Sequence, residues 1–132
     1  FKGATRSLES LAAMGATLAI CTNKTQHLAE TLIGKLGLTS RFASVCGADS
    51  VPHKKPSGEH ILHTVDRANG SPDRAIMIGD SQTDERAARN AGLPFVYVTF
   101  GYGPSPENWD DTRCRASSYV EVMDAIQSVA NP

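Results

Sequence analysis

The chain has 132 residues and a mass of 14.1 kDa, which is the size of one ordinary domain. Apolar residues make up 40 % of it and charged residues 20 %, which favours a compact core over disorder. The 13 basic and 14 acidic residues give a formal charge of −1, which excludes the strongly basic surface of nucleic-acid-binding proteins. No apolar run approaches the roughly 20 residues of a membrane span, so we expect no membrane association.

The three cysteines, Cys21, Cys46 and Cys114, are far apart and odd in number. Their spacing predicts neither a disulfide framework nor a zinc site, and it favours a reducing compartment. No basic stretch followed by an apolar one marks a signal peptide. We therefore expect a cytoplasmic protein.

The first part of the chain alternates helix-like and strand-like segments. The spacing of apolar residues predicts a helix at about residues 5–14, and the apolar run 17–22 predicts a buried strand. Thr25 is in position to begin a second helix, which Gly37 ends. The apolar stripe of that helix consists of Leu28, Leu32, Ile33 and Leu36.

The middle of the chain continues this pattern. A short strand is predicted at 43–46, followed by a loop at 47–56 that holds two prolines and two adjacent lysines. Ser57 is in position to cap a third helix, which the breaker sequence 69–72 ends. The residues expected to face inward on this helix are Ile61, Leu62, Val65 and Ala68.

The last part of the chain predicts a strand at 75–78, a helix at 83–91 that Gly92 ends, and a strand at 95–100. The remaining predictions are a loop at 101–111, a short edge strand near 114–117 and a helix at 118–129. Strands that alternate with helices in this way predict βα units around a parallel sheet.

Polar or flexible residues follow each predicted strand, where open parallel sheets gather their binding groups. In chain order these segments are Thr22-Asn23-Lys24, Lys54-Lys55-Pro56, Gly79-Asp80 with Asp84, and Gly101-Tyr102-Gly103. The carboxyl ends of parallel strands meet at one edge, so we expect these segments to converge.

Such a set suits a phosphate group held together with a hard cation. Gly79 lets the chain turn, and Asp80 then offers an oxygen ligand to Mg²⁺, which takes one or two carboxylates and completes its shell with water and phosphate. Asp84 lies one helical turn later and faces the same point. Thr22 can donate its hydroxyl to a phosphoryl oxygen, and a loop lysine can neutralise phosphate as a point charge.

Each of these patterns also has a purely structural interpretation. Thr22 and Asn23 are ordinary turn and cap residues, Lys54-Lys55 is ordinary for a solvated loop, and Asp84 complements the dipole at a helix start. Taken singly, the patterns leave both interpretations open. Their order and their placement at successive strand ends favour the functional one.

Three histidines, His53, His60 and His63, lie close together in the sequence. A zinc site needs further ligands, and no cysteine or acidic residue has suitable spacing. We therefore expect no zinc site at these histidines.

The segments at the strand ends, in this order, resemble the motifs of the haloacid dehalogenase-like hydrolases. Residues 15–103 are most similar to the phosphoglycolate phosphatase group. Residues 18–24 resemble the family's second motif, Lys55 before a proline resembles the third, and residues 78–84 resemble the fourth. Residues 98–103 resemble that group more loosely.

The resemblance implies a three-layer α/β/α fold with a parallel, Rossmann-like sheet. It also implies a Mg²⁺-dependent phosphate monoester hydrolase that acts on a small phosphorylated metabolite through an aspartyl phosphate. By this resemblance Thr22 and Asn23 bind the phosphoryl group, and Lys55 holds nucleophile and phosphate together. Asp80 ligates Mg²⁺, and Asp84 binds it through water or orients its neighbours.

The family's first motif, an apolar strand followed by Asp-x-Asp, is absent from the sequence, and so is the helical cap that follows it. The only other clustered acids, Asp110 and Asp111, lie in a Pro-rich loop. We interpret residues 1–132 as a single partial core domain that lacks its first, central strand and has little phosphatase activity alone. We expect one of three outcomes: a remodelled sheet, self-association through exposed sheet edges, or a missing N-terminal piece supplied in trans.

Three alternatives stay open, and one of them is an interaction fragment that works only in a complex. A haloacid dehalogenase shares the fold, although Lys55 and the acidic pair favour phosphate and Mg²⁺ over carbon–halogen cleavage. A non-catalytic α/β module that binds a phosphate or a partner is consistent with the missing nucleophile. The substrate stays open as well, because in this family the cap largely sets specificity.

Overall fold

The computed structural model describes residues 4–98, 115–116 and 126, and the account of the structure is confined to them. The helices are α1 (Ala4–Ala13), α2 (Gln26–Lys35), α3 (Gly58–Arg67) and α4 (Gln82–Ala91). The strands are β1 (Ala19–Cys21), β2 (Ser44–Cys46), β3 (Met77–Gly79), β4 (Phe95–Val98) and β5 (Arg115–Ala116). Short 3-10 turns occupy Thr39–Arg41, Ala48–Ser50 and Pro72–Arg74. In the described part of the chain, no helix is long and apolar enough to cross a membrane.

The strands are all parallel and form two separate sheets. β1 pairs with β2 in one sheet, and β3, β4 and β5 follow one another in the second. Within the described residues, β1 and β3 each have only one strand neighbour. The expected α/β fold with an incomplete parallel sheet is therefore confirmed.

The burial of the strands reflects these open edges. All four residues of β4 are buried, and Val96 has no exposed surface. In the adjacent β3, Ile78 is 37 % exposed, and Ala19 of β1 is also exposed. Ordinary sheet strands covered on both faces have no such exposure at their centre, so β3 lacks part of the cover that β4 has.

Both sheets nevertheless pack against one core. Its buried members are Ile61, Ala87, Ala88, Leu93, Phe95 and Tyr97. Cys21 of β1 and Met77 of β3 pack against this same cluster. α3 packs on β1 and β2, α4 packs on β3 and β4, and the two helices pack on each other. The ends of the two sheets are therefore held in a fixed relation by α3 and α4.

A close approach between α3 and α4 depends on Gly58. A Cβ atom at this position would lie 2.7 Å from the Ala91 nitrogen and 2.8 Å from the Asn90 carbonyl carbon. Any larger residue would force the two helices apart, so Gly58 sets their separation.

The predicted helix ends agree well with the structure because they depend on local chemistry. Thr25 accepts from the Leu28 N–H at 3.3 Å, and Ser57 accepts from the Glu59 N–H at 3.2 Å. Gly37 and Gly92 both have positive φ, as expected for glycines that end helices. Ser81 caps α4, so that helix begins at Gln82.

The strand boundaries differ more from expectation. The strand predicted at 75–78 is found at Met77–Gly79. The reason is that the Ala75 N–H donates to the Pro72 carbonyl in a 3-10 turn, so the ladder with β4 begins only at Met77. The edge strand predicted near 114–117 is found as Arg115–Ala116. The predicted loop at 101–111 and, apart from Ile126, the predicted helix at 118–129 lie outside the described residues.

Two predicted inward faces are only partly correct. On α2, Leu28, Leu32 and Leu36 are 44 %, 39 % and 67 % exposed, while Ala29 is the buried residue. On α3, Ile61 is buried as expected, but Leu62 is 37 % exposed. The buried polar residues on that helix are His60 and Thr64. The buried face of α3 is thus rotated from the apolar stripe, because polar contacts with β2 and the preceding loop determine its orientation.

Candidate active site

Lys55 connects the end of β1 to the segment that follows β3. Its side chain is only 8 % exposed, and its Nζ donates to Asp84 Oδ1 at 2.6 Å and to the Cys21 carbonyl at 2.8 Å. The Asn23 side-chain amide donates to the Lys55 carbonyl at 3.0 Å. Lys55 is therefore bonded both to the end of β1 and to the helix that follows β3.

Asp84 uses both of its carboxylate oxygens. Oδ1 accepts from Lys55, and Oδ2 accepts from the Asp80 N–H at 3.2 Å. The Asp84 N–H in turn donates to Ser81 Oγ at 3.2 Å, which fixes the residue in the first turn of α4. Its side chain is 11 % exposed, so the Lys55–Asp84 pair is a buried ion pair with additional hydrogen bonds on both partners. Removing one partner of such a pair strongly destabilises the folded protein, because the other charge is left buried without a partner.

Gly79 makes this arrangement sterically possible. A Cβ atom at Gly79 would lie 2.5 Å from both Cβ and Oδ2 of Asp84. The sequence predicted Gly79 as a turn residue, but its φ is not positive, so the requirement is for close approach and not for a special backbone angle. A glycine is thus required at position 79 because the Asp84 side chain packs directly against it.

Thr22 and Asn23 lie where the sequence predicted, at the end of β1. The Thr22 N–H donates to the Cys46 carbonyl at 3.1 Å and extends the pairing of β1 with β2. Its Oγ1 accepts from the Lys24 N–H at 3.1 Å, which leaves the hydroxyl hydrogen for donation to a ligand. Thr22 can therefore form the turn through its hydroxyl oxygen and bind a ligand through its hydroxyl hydrogen.

Asp80 and Asp84 are the acidic pair that this edge offers to a cation. In the described ranges no cluster of three or more histidine, cysteine or acidic side chains could hold a metal ion. Two carboxylates fit Mg²⁺, which binds few protein ligands and keeps water and phosphate oxygens. Both Asp84 oxygens accept hydrogen bonds, one from Lys55 and one from the Asp80 N–H.

The sequence analysis rejected His60 as a zinc ligand and assigned it no role at this site. It has no exposed surface and is one of the two largest fully buried side chains in the described part of the protein. The Lys55 N–H donates to His60 Nδ1 at 3.1 Å, and His60 Nε2 lies 3.0 Å from the Cys46 carbonyl. Burial lowers the pKa of its imidazole below the usual 6.5, and the nearby Lys55 charge acts in the same direction. Sequence reasoning missed these contacts, because a polar residue beside an apolar stripe gives no sign of its partners.

Cys21 is not an activated nucleophile. Burial raises the pKa of its thiol above the usual 9.0, and this effect outweighs the opposing influence of Thr64 and Lys55. Reactive cysteines have lowered pKa values. Cys21 contributes its backbone carbonyl to Lys55 and its side chain to the core.

Comparisons with known proteins identify relatives of this chain. The model of a family described as haloacid dehalogenase-like hydrolase matches residues 1–98. The phosphoglycolate phosphatase of Agrobacterium fabrum is 47 % identical over 106 residues, which is 80 % of this chain and 46 % of that protein. The phosphoglycolate phosphatase of Caulobacter vibrioides is 43 % identical over 106 residues, or 80 % of this chain and 45 % of that protein.

Solved structures give the same result for the fold. The crystal structure of a predicted phosphoglycolate phosphatase from Haemophilus somnus superposes with a TM-score of 0.84 at 25 % identity. That match covers 94 % of this chain and 56 % of the other. The chain spans about half the length of the curated relatives it matches.

Proposed function

We propose a function from the premise that this chain belongs to the haloacid dehalogenase-like hydrolase family: it forms the phosphate- and cation-binding part of a Mg²⁺-dependent phosphate monoester hydrolase. The observation that carries the proposal is the buried Lys55 ammonium, bonded at once to Asp84 and to the backbone beside Thr22. Lys55 thus joins Asp84 to the strand end that precedes Thr22, and the family resemblance assigns these three residues to phosphate and metal.

The charges of these side chains support a requirement for a divalent cation. Lys55 is positive while Asp80 and Asp84 are negative, so the three together carry a formal charge of −1. A phosphate monoester near neutral pH is itself an anion and is repelled by such a site. A divalent cation reverses the sign of the site, and Mg²⁺ prefers the oxygen ligands that carboxylates and phosphate supply.

Each residue then has a distinct role. The Thr22 hydroxyl donates to a phosphoryl oxygen, and the Asn23 amide holds the backbone of Lys55 beside it. Lys55 offsets the negative charge that develops on the transferring group. Asp80 ligates Mg²⁺, and Asp84 holds both the Lys55 ammonium and the Asp80 backbone in place.

The proposed reaction passes through an aspartyl phosphate. The phosphoryl group leaves its ester oxygen for a carboxylate oxygen, the alcohol departs with a proton, and water then hydrolyses the acyl phosphate to inorganic phosphate. The 132 residues contain no Asp-x-Asp motif, so we assign the nucleophile to none of them. We place it between Thr22 and Asp80, where Lys55 brings the ends of β1 and β3 together.

The substrate we propose is phosphoglycolate or a closely related small phosphate monoester. Support comes from relatives that are named phosphoglycolate phosphatase and are 47 % and 43 % identical to the chain. The matched stretch of the chain carries the residues proposed to bind phosphate. The family resemblance assigns the choice between phosphate esters to the cap, which these residues do not include.

A binding experiment on the chain itself tests the phosphate site. With Mg²⁺ present, inorganic phosphate is expected to shift the amide NMR signals of Thr22 and Lys55. Lys55→Met and Asp80→Asn are expected to weaken that binding. Lys54→Met is the matched control, since Lys54 is the adjacent lysine and is exposed. Equal loss of binding in Lys54→Met and Lys55→Met would contradict the assignment.

An activity experiment tests the chemistry and separates the alternatives. The chain alone is expected to release little phosphate from phosphoglycolate. A chimaera in which it replaces the matching stretch of the Agrobacterium fabrum relative is expected to hydrolyse phosphoglycolate with Mg²⁺. Halide release from a 2-haloacid by the chimaera would instead indicate a dehalogenase, and binding without turnover would indicate a non-catalytic module. Robust turnover by the chain alone, abolished by Asp80→Asn, would show that a nucleophile lies within it.

A further inference from the structure

The hydrogen bonds of His60 define the state of its ring. A backbone N–H can only donate, so the 3.1 Å contact from Lys55 N requires Nδ1 to be without a proton. Nε2 then carries the ring hydrogen and donates it to the Cys46 carbonyl at 3.0 Å. The imidazole is therefore neutral, in the Nε2–H form, and both of its nitrogens are bonded while it is fully buried.

These two bonds connect the two residues assigned to phosphate. On one side His60 holds the backbone N–H of Lys55. On the other side it bonds the Cys46 carbonyl, which also accepts the Thr22 N–H at 3.1 Å. One ring thus joins the Lys55 loop to the strand end that carries Thr22.

Lys55 is held on both sides of its own Cα by this arrangement. Its N–H is bonded to His60, and its carbonyl accepts from Asn23 at 3.0 Å. With both backbone groups fixed, the side chain is directed to Asp84 and to the Cys21 carbonyl. A loop residue that carries a functional ammonium needs such support, because misplacement by about 1 Å costs large factors in rate.

We propose that His60 is a positioning residue of the phosphate site, whose neutral imidazole holds Lys55 and Thr22 in register. This inference rests on the proposed function for what the site binds, but the positioning of Lys55 itself is a separate and measurable claim. The ring hydrogen bonds of His60 described above go to the backbone N–H of Lys55 and to the carbonyl of Cys46, and it acts through these two groups.

The substitutions that test this role differ in which bond they keep. His60→Asn retains an acceptor oxygen near the position of Nδ1 and is expected to keep the Lys55 N–H bonded. His60→Leu fills similar space and removes both bonds. His63→Leu is the matched control, since His63 is on the same helix but outside these hydrogen bonds and is only half-buried.

The first measurement is made on the full 132-residue chain without phosphate. Ring ¹⁵N NMR is expected to show a protonated Nε2 and an unprotonated Nδ1 for His60. The Lys55 amide signal is expected to move substantially in His60→Leu, less in His60→Asn and little in His63→Leu. A protonated Nδ1 in the unmodified chain, or an unmoved Lys55 signal in a folded His60→Leu, overturns the inference.

The second measurement is the affinity for inorganic phosphate with Mg²⁺. His60→Leu is expected to weaken binding by about tenfold or more, the size of one lost hydrogen bond. His60→Asn is expected to recover most of the affinity, and His63→Leu to leave it unchanged. If His60→Leu fails to fold, the ring spectrum and His60→Asn still decide. Failure of the unmodified chain to bind phosphate refutes the proposed function, whereas equal weakening by Asn and Leu refutes the positioning role.

Discussion

Two regions of this protein differ in how completely their polar groups are hydrogen-bonded and their apolar groups are buried. Around Lys55, the buried ammonium, the Asp84 carboxylate and the His60 ring all have hydrogen-bond partners. In the described part of the chain, β1 and β3 each pair with one strand and leave their other edge unpaired. Ile78 of β3 is 37 % exposed. The candidate site therefore has hydrogen-bonded polar groups on one side, and on the other it adjoins strands that have a single strand neighbour among the described residues.

This difference shows that the site's support comes from helices and loops more than from a continuous sheet. α3 contributes His60, α4 contributes Asp84, and the two helices pack closely at Gly58. Contacts among the described residues therefore hold Lys55 against Asp84 and the end of β1, although β1 and β3 do not pair with each other in that part of the chain. Five predicted outcomes test this contrast between the region around Lys55 and the strand edges.

The largest effect is expected for the buried ion pair. Lys55→Met leaves the Asp84 carboxylate buried without its charge partner, and it should lower the free energy of unfolding by about 3–5 kcal/mol. Lys54→Met, at the exposed neighbour, should change it by less than about 0.5 kcal/mol. Urea unfolding followed by circular dichroism measures both.

A double variant checks the cause of that loss. Lys55→Met combined with Asp84→Leu removes both charges, and it should recover much of the stability that Lys55→Met loses. A double variant that is simply the sum of two large losses would mean that the residues act independently, and the region around Lys55 would not depend on their pairing.

The next effect concerns the glycine beneath Asp84. Gly79→Ala places a methyl group against the Asp84 carboxylate, and it should destabilise the fold by about 1–3 kcal/mol. Gly34→Ala is the contrasting control, because Gly34 lies within α2 with 3.9 Å to its nearest neighbour and should gain about 0.5–1 kcal/mol. Thermal unfolding of the two variants should therefore shift in opposite directions.

A comparison of adjacent strands tests the open edge directly. Val96→Ala in β4 should cost about 2 kcal/mol, because Val96 is fully buried. Ile78→Ala in β3 removes more atoms but should cost less, since Ile78 is already partly exposed. If urea unfolding ranks Ile78→Ala as the more damaging change, the edge of β3 is covered in solution, for instance by self-association.

The smallest effect is a pH dependence from His60. Burial lowers the pKa of this imidazole in the folded protein, so the unfolded chain binds the proton more readily. The stability is fully present above about pH 6.5 and declines as the pH falls from there towards the lowered pKa. The charged and titratable groups that act on the ring are Lys55, from the loop, and His63, on α3 itself. Denaturant unfolding between pH 7 and 5 should show a shallower slope in His60→Asn, and an unchanged slope would assign the effect to other groups.

Much of the fold and part of the site could be predicted because the signals are local or follow from topology. Thr25, Ser57 and Gly92 mark helix ends through contacts within a few residues. Lys55 and Asp84 are 29 residues apart, but parallel strands bring their carboxyl ends to one edge, so their convergence was predictable. The role of His60 was not, because a polar residue beside an apolar stripe gives no sign of its distant partner.

The sequence by itself determined the order of strands and helices, the residue types at each strand end and the family to which the chain belongs. Only the tertiary structure decided that Asp84 is the partner of Lys55, that Gly79 is required for close approach, and that His60 faces inward where Leu62 was expected. The reason is physical. Caps and periodicity act over one or two turns, whereas buried polar groups are satisfied by whichever partners packing brings within about 3 Å.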